Sequence, residues 1–184
     1  MKKIVSLLLA AIMAVSLAGC ASPLNPSSAE PGYPDENGNA EGYLNDTMHT
    51  YFFDYTVTNA YVCNEFEGYV PSGEGKELVV AEVTIKNTAK STTPMFDTDF
   101  QIQWGDNTED AFDFPITFYL RSTDNVSDKM FPAEYSLGVN ESRSGLLVFE
   151  VPTGKKDFSI SYLEEFDDDT TGNVFFVYFT PSRQ

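Results

Sequence analysis

Residues 77–87, Glu-Leu-Val-Val-Ala-Glu-Val-Thr-Ile-Lys-Asn, decide the fold. Val79, Ala81, Val83 and Ile85 fall on one side of the chain and Glu82, Thr84 and Lys86 on the other, the period of two that marks a half-buried strand. The same alternation spreads outward from this stretch. Between Tyr51 and Val62, Phe53, Tyr55 and Val57 oppose Asp54, Thr56 and Thr58. Phe100, Ile102 and Trp104 alternate with Gln101 and Gln103, and Phe158, Ile160 and Tyr162 alternate with Ser159 and Ser161. Residues 146–151 (LLVFEV) and 174–179 (VFFVYF) are apolar on both faces and suit central strands. Residues 111–120 (AFDFPITFYL) predict one more strand, which Pro115 confines to an edge or a bulge. Ser72-Gly73-Glu74-Gly75, Gly105-Asp106-Asn107 and Thr171-Gly172-Asn173 supply turns, and helical periodicity is nearly absent. One sheet would leave an apolar face in water, so the expected fold is all-β: two antiparallel sheets packed as a β-sandwich over residues 49–184.

Composition sets the limits of function. The chain has 184 residues, with 28 acidic against 11 basic side chains and a formal charge of −17. Apolar content of 42% and aromatic content of 14% are those of a globular domain, which excludes a disordered acidic polymer and a multi-span membrane protein. So large an acidic excess also disfavours nucleic acid, whose phosphates are bound through Lys and Arg.

Ahead of the domain, Lys2 and Lys3 precede an apolar run from Ile4 to Ala18. Fifteen residues of helix cover only about 22 Å, short of the roughly 30 Å hydrocarbon core, so residues 1–19 read as a removable signal peptide. Its end, Leu17-Ala18-Gly19-Cys20, resembles the lipobox of bacterial lipoproteins. That resemblance implies cleavage before Cys20, diacylation of the Cys20 thiol (a palmitate-type anchor), and a cell-membrane location facing the extracytoplasmic side. Two acyl chains anchor stably where one does not. Lys2 and Lys3 leave with the signal, which takes the formal charge from −17 to −19. Anionic headgroups repel such a domain, so attachment falls to the lipid. Residues 20–48, rich in Ser, Pro, Asn, Gly and Glu, predict a disordered tether between anchor and domain.

Two segments carry a further resemblance. VVAEVTIKN (79–87) and SGLLVFEVP (144–152) are similar to the two best-marked strands of the telokin-like extracellular domains, uncharacterised immunoglobulin-like sandwiches of many bacterial lipoproteins. Asn87, Gly145 and Pro152 match the positions that close and open those strands. The usual Pro-Gly turn is replaced by Leu137-Gly138-Val139-Asn140, and residues 106–135 match nothing in the family. What the resemblance implies is an immunoglobulin-like architecture and no catalytic assignment.

Chemistry-bearing residues are few. His49 is the only histidine and reads as a boundary residue, not as the base of a nucleophilic triad. Once Cys20 is acylated, Cys63 has no intramolecular partner, and Glu65 and Glu67 beside it are expected to raise its thiol pKa. No cofactor, metal or catalytic site is expected. Calcium alone has a case, at Asp106 to Asp110 and at Glu164, Glu165 and Asp167 to Asp169, but neither run has the spacing of a known calcium loop. Trp104 is expected in the core. Tyr119, Phe131 and Tyr135 are expected to face solvent, which makes residues 106–135 the expected interaction surface. The functional expectation is a cell-surface, non-catalytic binding or interaction module whose ligand is unknown, with a surface protein or a glycan as partner. Alternatives are a carbohydrate or wall-polymer binder and a weak calcium-binding module.

Overall fold

The computed structural model describes residues 30–105, 111–120 and 126–183. Twelve strands run along these residues: β1 Asn39–Tyr43, β2 Thr47–His49, β3 Phe53–Cys63, β4 Lys76–Asn87, β5 Thr93–Phe96, β6 Phe100–Trp104, β7 Phe112–Asp113, β8 Glu134–Leu137, β9 Ser142–Pro152, β10 Phe158–Glu165, β11 Thr171–Phe179 and β12 Ser182–Arg183. A single 3-10 turn, Ile116–Phe118, follows Pro115. The decisive stretch is β4, whose odd-numbered positions from Val79 to Ile85 are fully buried.

Two sheets form the sandwich. One has the order β12-β3-β4-β9 with β2 paired to β3, and the other the order β1-β11-β10-β6-β7. Taking the long strands in chain order as A (β3), B (β4), C (β6), E (β9), F (β10) and G (β11), the pairings are A-B-E and C-F-G, the immunoglobulin arrangement. The pairings among these six are antiparallel, while the outermost β1 and β12 run parallel to β11 and β3. β5 and β8 pair as a separate ribbon. The main core lies between the sheets, with Phe53, Tyr55, Phe100 and Tyr162 in mutual ring contact.

Four expectations need correction. The folded part begins before residue 49: β1 adds to the edge of β11, and Ala40 and Met48 are fully buried, so apolar burial holds residues 30–48 to the domain instead of leaving them as tether. Residues 20–29 lie outside the described residues. Strand β3 is not one uninterrupted alternation, because a bulge between Val57 and Asn59 shifts the buried positions from odd numbers to Ala60 and Val62. Strand β9 is the last of its sheet, not a central strand. From Leu147 to Val151 it is nevertheless buried on both faces, because Pro115 and Met130 close its free edge through bridges to Phe149 and Leu146.

The fourth concerns residues 106–135. Their described part is largely a cover: Ile116 and Met130, with Phe66 from the β3–β4 loop, pack on Leu78, Val80 and Val148 as a second core on the outer side of β4 and β9. Phe131 is 5% exposed and stacks on Tyr135 at 5.4 Å, and the Arg143 guanidinium lies over the Tyr135 ring. Gly145 permits this packing, since a Cβ there would stand 3.1 Å from the Phe131 ring. Residues 106–110 and 121–125 lie outside the described residues.

Candidate interaction surface

The expected lipidation site, Leu17, Ala18, Gly19 and Cys20, lies outside the described residues. His49 sits in β2, with its Nδ1 3.0 Å from an Asp54 carboxylate oxygen and its ring stacked on Tyr33 at 4.3 Å. These contacts fasten β2 and the segment before it to β3. Cys63 ends β3 at the margin of the second core, and burial, not its acidic neighbours, raises its thiol pKa. Trp104 is 8% exposed in the main core. Of the two acidic runs, residues 106–110 lie outside the described residues, Glu164 is buried, and Asp168 caps its own turn by accepting from Thr170. Among the described residues, no group of three or more His, Cys, Asp or Glu gathers as metal ligands.

Three buried carboxylates hold the loops in place; Glu77 and Glu150 passed unnoticed among the strand residues of the sequence, and Glu164 stood out only as one oxygen donor in an acidic run. Glu150 projects from β9 and accepts hydrogen bonds from the Tyr69 hydroxyl, the Ser72 amide and hydroxyl, and the Lys76 ammonium, all between 2.7 and 2.9 Å. Desolvation opposes its charge, but these four donors prevail and bring its pKa down to about 2. Glu164 accepts from the amides of Tyr51 and Asn173 and ties β10 to the loop before β3. Glu77 receives the Arg183 guanidinium and pins β12. Asn87, fully buried at the end of β4, donates to the carbonyls of Ser91 and Leu137 and so joins that loop to β8.

On this fixed frame one stretch turns its aromatic side chains outward. From β7 onward, Phe112, Phe114, Phe118 and Tyr119 form a run of ring contacts at 6.0, 5.0 and 5.0 Å. Phe118 is 43% exposed and Tyr119 61%. The Tyr119 hydroxyl donates to Asp113, and burial together with that carboxylate raises its pKa. The Pro115-initiated 3-10 turn creates this ridge by rotating Phe118 and Tyr119 away from buried Ile116. Of the three aromatics expected to be exposed, only Tyr119 is. Phe118 was missed because period-two reading assigns it no face inside a helical turn.

Comparison with known proteins places this geometry. A family model described as "Domain of unknown function (DUF4352)" matches residues 43–174. Among solved structures, the chain is similar to a candidate lipoprotein (ycdA) of Bacillus subtilis, with 18% identity and a TM-score of 0.54 over 73% of this chain. The match spans only 38% of that protein's length. It is also similar to the yjhA protein of Bacillus subtilis, with 15% identity and a TM-score of 0.50, over 66% of this chain and 81% of that one. At these identities the likeness is one of fold. No curated protein matches the chain closely enough to count as a relative.

Proposed function

The chain belongs to the DUF4352 family of domains of unknown function, and from that premise we propose that it is a lipid-anchored, non-catalytic binding module facing the extracytoplasmic side of the cell membrane. The observation that carries the reading is the order of features before the sandwich: Lys2-Lys3, the apolar run from Ile4 to Ala18, and Leu17-Ala18-Gly19-Cys20. The structural likeness to a protein described as a candidate lipoprotein supports it. So does the telokin-like resemblance of residues 79–87 and 144–152, which is the finer family reading we retain.

About ten residues separate Cys20 from Glu30, the first described residue, a reach of at most about 35 Å when fully extended. The domain is therefore held close to the bilayer while its net negative charge keeps its surface off anionic headgroups. The sole histidine is engaged with Asp54 and Tyr33, which supports a binding role over nucleophilic catalysis. The aromatic ridge from Phe112 to Tyr119 and the open sheet beside it are the surface such a module presents.

Fractionation tests the anchor. The wild-type chain is expected in the membrane fraction, labelled by radioactive palmitate, and Cys20→Ser is expected to be unlabelled and either released or left as the unprocessed precursor. A mature, membrane-bound Cys20→Ser chain would overturn the anchoring.

A further inference from the structure

The sheet β1-β11-β10-β6-β7 turns one parity of its residues into the core, so the other parity lies outside. The register sets these outer residues in rows. Tyr43 pairs with Tyr178, Tyr178 with Ser159, Ser159 with Gln103, and Gln103 with Phe112, the first residue of the ridge. A second row runs Glu41, Phe176, Ser161, Gln101. At about 4.8 Å per strand, the first row covers about 19 Å.

The rows have a distinct chemistry. At one end, Tyr43 is 65% exposed and Tyr178 36%, with ring centroids 6.3 Å apart, and Phe176 stacks on Tyr178 at 6.0 Å and 17°. In the middle, Ser159 and Ser161 are sunk between larger side chains, and Gln103 donates to the Ser161 hydroxyl at 3.0 Å. Gln101 beside them is 8% exposed, and its side-chain carbonyl is buried without a hydrogen-bond partner. Leaving such an acceptor unmade is costly, and native structures rarely tolerate it without a reason. The far end is aromatic again at Phe112. Neither row contains a lysine or arginine, and Glu41 is their one charge.

This is the reverse of a protein interface, where an apolar centre is surrounded by a polar rim. Here amides and hydroxyls form the centre and aromatic rings the margins. A second copy of the chain would bring another strongly negative domain and another Glu41 to the contact. An anionic polymer would meet the chain's own −17 charge. A sugar strand fits without these penalties. Its ring faces are apolar and stack on tyrosine or phenylalanine, and its hydroxyls donate to and accept from glutamine and serine at once.

We propose that this outer face is a binding platform for a neutral polysaccharide strand laid across β1, β11, β10, β6 and β7, with Tyr43, Tyr178 and Phe176 stacking on sugar rings and Gln101, Gln103 and Ser159 receiving hydroxyls. The proposal rests on the reading of the domain as a binding module and gives that module its ligand class.

The test is co-sedimentation of the full chain, purified in detergent, with cellulose and with chitin, both uncharged, followed by titration with a soluble hexamer of whichever polymer retains it. Retention on at least one polymer is expected, with Tyr43→Ala and Tyr178→Ala each weakening it at least about tenfold, Tyr43→Ala at an unchanged melting temperature. Gln101→Leu is expected to weaken retention while leaving the fold as stable or more so, since it removes the unpaired carbonyl. A purely structural orphan would show the gain in stability with retention intact. Val70→Ala, exposed on the β3–β4 loop over the opposite sheet, should retain wild-type binding. Retention on none of the polymers would overturn the platform. So would retention that Val70→Ala abolishes and Tyr178→Ala leaves alone, or self-association or protein capture lost in Tyr178→Ala without any glycan retention. Membrane fractionation of Tyr178→Ala should match wild type, so failure of the platform and failure of the anchor are separable.

Discussion

The two sheets bury their inner faces against each other alike, yet their outer faces have opposite fates. On the β3-β4-β9 side, the outward residues Leu78, Val80 and Val148 are aliphatic, and Phe66 from the β3–β4 loop closes over them with Ile116 and Met130 as a second core. On the β11-β10-β6 side, the outward residues are Ser159, Ser161, Gln101, Gln103, Phe176 and Tyr178, and the rim of that face lies open at Tyr43 and Tyr178. What separates the two is the chemistry of the alternate positions, since the backbone pairing is equally regular in both. An aliphatic outer row requires a cover. A row of amides, hydroxyls and rings does not.

The sharpest way to break the contrast is to cut the covered face. Leu78→Ala removes a fully buried side chain from the second core and is expected to lower stability by about 2–4 kcal/mol in urea unfolding, because the surrounding residues refill such a space only partly. A loss below about 1 kcal/mol would mean that the cover does not pack. Next in size is Glu150→Gln. It weakens the cluster of Tyr69, Ser72 and Lys76 that holds the loop over this face and should cost about 2–3 kcal/mol at pH 7. The pKa of Glu150 falls from 4.5 when unfolded to about 2 in the fold, so its stabilisation is complete above pH 4.5 and drains away as pH drops toward 2. The difference between variant and wild type should shrink over that window in acid titrations followed by circular dichroism.

The sequence declares the inner faces almost completely, because β4 and β6, and β10 as far as Leu163, each alternate between a core row and an outer row. It also declares Asn87, Gly145 and Pro152 as marks of strand ends, although their tasks show only in space: an amide bridge to Leu137, room for the Phe131 ring, and the last pairing with Lys76. What stayed hidden depends on contacts distant in the chain. Ala40 and Met48 are lone apolar residues in a polar stretch, and only the edge of β11 and the end of β3 give them a place. Glu150 reads as an exception in an apolar strand until its partners, 74 to 81 residues away, surround it. The platform was hidden for a related reason. Gln101, Gln103, Ser159 and Ser161 look like an ordinary solvated side of two strands, and only the register shows that Gln103 and Ser159 meet Tyr43, Tyr178 and Phe112 in one line and that Gln101 and Ser161 meet Phe176 in the next.

A smaller effect, of opposite sign, separates the covered region from the acidic loop before β6. Asp99 accepts the Phe96 amide at 2.7 Å, but burial, with Asp97 and Glu165 nearby, raises its pKa to about 7. A carboxyl whose folded pKa lies above its unfolded value of 3.8 leaves stability intact below pH 3.8 and removes it progressively up to pH 7. Asp99→Asn keeps an acceptor for Phe96 without the charge. It is expected to raise stability by on the order of 1 kcal/mol at pH 8, a figure discounted for the carboxyl's remaining contact with water, and to be neutral at pH 4. An equal gain at both pH values would show that charge burial is not the cause.

The smallest expected effect is the most direct measure of the open face. Tyr43 lies on the edge strand β1, with most of its ring in water and its principal contact the Tyr178 ring. Truncation there removes little buried surface and leaves no polar group stranded, so Tyr43→Ala should change unfolding free energy by less than about 0.5 kcal/mol. Set beside Leu78→Ala, the pair reports on the two outer faces with the same assay and the same kind of substitution. A cost above about 1.5 kcal/mol at Tyr43 would mean that its ring is covered in solution by something folded over β1 and β11. In that event the aromatic margin would be a structural seam, and the contrast between the two sheets would disappear.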